Sequence, residues 1–142
     1  MTDEDRAELK QDLIVAEGRR RDVYDDATSV QVHAPKGSLS VGIGHNLSLP
    51  MPDALIDLIY EHDIQQVIDG VIEALPWVVT LDGPRMRVLC NIAFNAGING
   101  LLGFHKMLAA LEAGDLATAS TELINSQLAP GRARRLAALL QT

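Results

Sequence analysis

The chain has 142 residues, about one domain's worth, and its 47% hydrophobic and 22% charged residues can bury a core, unlike those of a disordered tail. Nineteen Asp and Glu stand against twelve Lys and Arg, a formal charge of -7 that argues against wrapping nucleic acid through a basic surface. The imbalance is local: residues 37–84 hold no Lys or Arg but seven acids (Asp53, Asp57, Glu61, Asp63, Asp69, Glu73 and Asp82), and the rest carries twelve of each sign.

Thr2 before Asp3, Glu4 and Asp5 reads as a helix start, a capping hydroxyl followed by acids at the positive end of the helix dipole. Ala7, Leu9, Leu13, Ile14 and Ala16 then give an amphipathic stripe up to Glu17. Across 18–46 the helical period is lost. Pro35, Gly37, Gly42 and Gly44, with β-prone runs at 29–33 and 39–43, predict a small hairpin or three-strand sheet. Pro52 and Asp53 suit a first helical turn, and Ile56, Ile59, Tyr60, Ile64, Val67, Ile68, Val71 and Ile72 predict a long helix ended by Pro76, its other face acidic. Residues 82–96 read as a helix apolar almost all round, hence central, with Gly97 as its C-cap. Residues 101–113 close at Gly114, Asp115 caps a helix to about Gln127, and Pro130 opens a last one. The expected fold class is α+β: one helix, a small sheet, then five helices.

Cys90 is the single cysteine, which excludes an internal disulfide. The acidic first ten residues do not read as a secretory signal, and no apolar run approaches the ~20 residues that span a bilayer. Synthesis in a cytoplasm without a membrane anchor is the expectation.

Three features can carry chemistry. Glu17 and Asp26, with eight residues between them including Tyr24, place a carboxylate at a helix end and another on an adjoining strand, as acid/base cleavage of a glycosidic bond requires. In a chain with nineteen acids such a pair is more often solvated surface. Ser40-Val41-Gly42-Ile43-Gly44-His45 is a glycine bend followed by a histidine, and Pro130-Gly131-Arg132-Ala133-Arg134-Arg135 a basic helix start.

In this order, and with Asn91-Ile92-Ala93-Phe94-Asn95-Ala96-Gly97 and Gly103-Phe104 between them, these pieces resemble the phage-type lysozymes, the muramidase endolysins of the T-even phage lysozyme family. The resemblance implies a single lysozyme-like domain over 1–142. A small β lobe (18–50) and a helical lobe (82–142 with 1–17) are joined by a long helix (51–75). It makes Glu17 the general acid, Asp26 the base that activates or positions water, and Ser40, where the family carries Thr, the hydroxyl that helps hold that water. Asn95 falls on a polar cleft position, commonly Gln, and Tyr24 and Phe104 join it as expected substrate contacts. His45 matches a histidine that pairs structurally with an Asp on the long helix, here Asp63, and Arg132 an arginine that faces the acid. An arginine there opposes the burial that keeps a general acid protonated.

A metal set of His45, His62 and Asp63 is not expected, because the adjacent His62 and Asp63 point differently on a helix. No metal or cofactor is implied. The expected function is hydrolysis of the β-1,4 bond between N-acetylmuramic acid and N-acetylglucosamine by a monomer that lyses a host cell. It would be made in the host cytoplasm, reach the periplasmic wall through a separate holin-like pore, and touch neither nucleic acid nor a membrane anchor. Wall contact is expected through Arg19, Arg20, Arg21 and the other arginine-bearing faces. The departures are Ser40, Asn95, fourteen positions from Asp26 to Ser40, and only six residues between His45 and Pro52, which trims the small lobe. Two rivals stand beside this reading: a lytic transglycosylase, which works with one Glu, and a catalytically degenerate wall-binding or assembly protein.

Overall fold

Helix α1 spans Asp3–Glu17, and its first turn is closed by a reciprocal cap. Thr2 Oγ1 accepts from the Asp5 backbone N–H at 3.1 Å while the Asp5 carboxylate accepts from the Thr2 N–H at 2.8 Å. The carboxyl of Asp5 is held below its usual range chiefly by that backbone bond. Of the apolar stripe only Leu9 and Leu13 are buried, while Ala7 is exposed.

The structure, a computed structural model, describes residues 1–25, 28, 30–32, 37 and 39–142. The sheet among the described residues is smaller than the larger of the two expected forms. Strands β1 (Ser40–Val41) and β2 (His45–Asn46) pair antiparallel, Ser40 opposite Asn46 and Val41 opposite His45. Gly42 and Gly44, at φ 60° and 75°, make the turn, in a conformation side-chain-bearing residues rarely adopt. Ile43 at its tip is fully exposed. Tyr24 and Gln31 form a separate antiparallel bridge, flanked by backbone bonds from Asp25 to Val30 and from Val32 to Val23.

Helix α2 (Asp53–Ala74) buries Ile64, Ile68 and Val71, while Ile59 and Ile72 of the expected stripe are exposed. Pro76 stops it by opening a 3-10 turn, Pro76–Thr80. Helix α3 spans Gly83–Leu102, with Asp82 capping it by accepting from the Arg85 N–H at 3.1 Å. It buries an unbroken run from Met86 to Ala93. The expected C-cap at Gly97 is a break between two helical stretches: Gly97 sits at φ 72°, ψ 170° and ends the first, and a further turn follows before Gly103. That region is open essentially only to glycine. The break displaces the next start, so α4 runs His105–Glu112 and not from 101.

Helix α5 (Leu116–Ile124) is capped by Asp115, as expected, but ends short of Gln127 at Asn125, whose N–H bonds back to the Thr121 carbonyl. Helix α6 spans Pro130–Leu140. The architecture is thus α+β, mostly helical with a two-strand antiparallel sheet. The chain divides into two compact units, 1–17 with 64–142, and 18–63. In the first, α3 packs on α1 and α6, and α5 on α4 and α6. Ser120 ties α5 to α6 by donating to the Ala137 carbonyl at 3.1 Å. Among the described residues no helix is long and apolar enough to cross a membrane.

Candidate functional site

Glu17 is the last residue of α1. Two donors reach the same oxygen, Oε1: Arg132 Nη1 at 2.9 Å and Asn95 Nδ2 at 3.2 Å. Arg132 comes from the first turn of α6, the positive end of that helix dipole, where a cation is unfavourable without compensation. Glu17 supplies some of it. The rest comes from Asn91, whose Oδ1 accepts from Arg132 Nε at 3.0 Å and whose backbone carbonyl accepts from Nη2 at 3.1 Å. The Arg132 side chain is 10% exposed and that of Glu17 35%, so the cation is sheltered and the carboxylate open. Glu17, Asn95 and Arg132, three of the expected site residues, are therefore brought together from positions 17, 95 and 132.

The same seam continues toward the start of α1. Arg87, buried in α3, donates through Nη1 to Glu8 and through Nη2 to Asp12, the latter at 2.7 Å. Its Nε is buried without a partner among the described residues. Burial raises the proton affinity of Asp12, and the Arg135 guanidinium pulls it the other way. Asp12 and Ala16 from α1, Asn91, Arg132 and Arg135 line a pocket of about 220 Å³ with Leu136, Ala138, Leu139 and Thr142.

The chain matches no protein-family model and no curated protein.

The other expected site residues fall in the second unit or elsewhere. Ser40 is exposed on β1. Tyr24 is 37% exposed, with the Arg20 guanidinium 4.6 Å from its ring centroid. His45 and Asp63 are both exposed, and among the described residues no hydrogen bond or ion pair joins them. Two-residue strands leave His45 in water, which satisfies both groups separately. Asp26 lies outside the described residues. Phe104, half-buried just before α4, lines a pocket of about 470 Å³ with Gly100, Met107 and several polar side chains; Glu17, Asn95 and Arg132 are not among its walls. The described residues hold no cluster of three His, Cys, Asp or Glu fit to hold a metal.

The arginines expected to meet the wall are partly engaged within the chain. Arg19 donates to Asp57 at 2.8 Å and to Asp53 at 3.3 Å, and Arg21 Nε donates to the Met51 carbonyl at 2.9 Å. The sequence reading gives Asn91 no role and counts Arg87 among the arginine-bearing faces, whereas Arg87 is buried. A signal for both exists: Arg87, Asn91 and Asn95 recur every four residues, one polar stripe on a helix otherwise apolar.

Proposed function

We propose that the chain is a peptidoglycan hydrolase of the phage lysozyme type, cleaving the β-1,4 bond between N-acetylmuramic acid and N-acetylglucosamine. One observation carries the reading. The polar cleft residue and the arginine, matched on sequence resemblance alone, both lie within hydrogen-bond distance of the acid, on one carboxylate oxygen. Glu17 protonates the leaving glycosidic oxygen, Asp26 takes a proton from the attacking water, and Ser40 holds that water. Tyr24, Asn95 and Phe104 contact the glycan. In this reading the α+β architecture is lysozyme-like, and the product reaches the wall through a separate holin-like pore.

The test is hydrolysis of purified murein by the wild-type chain beside Glu17→Gln, with the products resolved by chromatography. Reducing N-acetylmuramic acid ends from the wild type, and loss of turnover by at least ~100-fold in the variant with an unchanged circular dichroism spectrum, are expected. Ends in the 1,6-anhydro form would make it a transglycosylase. Binding to murein without cleavage would make it a wall-binding protein.

A further inference from the structure

We infer that Asn91 is a positioning residue for Glu17, acting through Arg132, an inference that rests on the hydrolase reading above. Asn91 is 2% exposed in the most apolar stretch of α3. A buried amide is costly unless hydrogen-bonded, so its presence there calls for partners. Arg132 supplies them. A guanidinium only donates, which compels Asn91 to present Oδ1 rather than its NH2 to Nε. The backbone carbonyl of the same residue takes Nη2, so one edge of the planar cation is clamped by two acceptors of a single residue at 3.0 Å and 3.1 Å. Clamping one edge fixes the whole plane. Nη1 is the corner that remains, and it lies 2.9 Å from Glu17 Oε1.

This has a stereochemical result at the acid. Oε1 takes both Arg132 and Asn95, while among the described residues Oε2 takes no hydrogen bond. Oε2 is the oxygen left to carry the proton and deliver it. Asn91 touches neither carboxyl oxygen, yet it decides which one faces the substrate, because a freely turning Arg132 could bridge both.

The experiment compares steady-state cleavage of murein by the wild type, Asn91→Ala and Asn91→Asp. Asn91→Ala removes the side-chain acceptor, and kcat per folded molecule is expected to fall ~10–100-fold with KM little changed. Asn91→Asp keeps shape and acceptor, is expected to restore most of that kcat, and covers the case in which the alanine variant does not fold. A merely structural role would lower activity only in step with the folded fraction and leave kcat per folded molecule unchanged. That outcome, in an active wild type, overturns the positioning role alone; a folded wild type that cleaves no murein overturns the hydrolase reading and this role together.

Discussion

Both donors on Glu17 sit on one oxygen, and they are unequal. Arg132 is sheltered and clamped by Asn91, whereas Asn95 is exposed and reaches Glu17 at 3.2 Å. The short Asn side chain thus spends its amide on Glu17. Asn95→Ala is expected to lower kcat/KM roughly tenfold, about the worth of one hydrogen bond to a charged group; an unchanged kcat/KM would remove Asn95 from the site. A second prediction concerns Asp115, which caps α5 by accepting from Thr118 Oγ1 at 2.6 Å and from its N–H at 3.0 Å. The Thr118 hydroxyl first, then the backbone N–H, holds this carboxyl below its ordinary value of 3.8. A depressed carboxyl stabilises the fold above that ordinary value, and the contribution is lost as pH falls through the depressed one. Asp115→Ala is therefore expected to lower Tm at neutral pH, with the difference closing in strongly acidic buffer. A gap constant over that range would mean the cap does not depend on charge.

At the scale of elements, α1 meets α3 through two kinds of contact. Leu9 and Leu13 are buried without directional demands, while Arg87 with Glu8 and Asp12, and Asn95 with Glu17, form a polar seam. Apolar packing alone tolerates a small slide between helices, but a hydrogen bond weakens steeply over tenths of an ångström. A slip of one residue along α1, 1.5 Å, would break every bond in the seam, so Arg87 at one end sets the register of Glu17 at the other. Arg87→Met is expected to cost about 1–3 kcal/mol in urea unfolding, less than for a fully buried pair, because Glu8 and Asp12 are partly exposed and rehydrate. Adding Glu8→Leu and Asp12→Leu should recover most of that loss, and no recovery would show that the charges contribute more than their burial costs. Much of this was legible in the residues, some not. The caps at Thr2 and Asp115, and the stop at Pro76, act within four residues and were readable from local sequence. Gly97 was readable as a break but not as one followed by another turn of α3. What continues past it depends on the burial of Leu101, a tertiary matter. Of the site, Glu17, Asn95 and Arg132 were found by resemblance. The partners of Asn91 and Arg87 lie 41 residues or more away, beyond any local signal.

Over the whole molecule the charge of -7 resolves into engaged and open parts. Asp53 and Asp57 on α2 are paired with Arg19, so the acidic helix is partly answered within the chain and Arg19 is held back from outside partners. Cys90 reports on the core as a unit. It has no exposed surface, and burial pushes its thiol up to about 12, so the thiolate that reacts is scarce in the folded state. A thiol reagent at mildly alkaline pH is expected to label it only through opening of the fold, at a rate that denaturant raises. Prompt labelling of the native chain would place Cys90 outside the core. The order of synthesis adds one consequence of the Arg132 clamp. Glu17 leaves the ribosome before the guanidinium that holds it, which belongs to residue 132, 115 positions later. Until α6 has been made and has docked on α3, a nascent chain carries the carboxylate without its clamp. A chain released between the two carries the carboxyl without its aim.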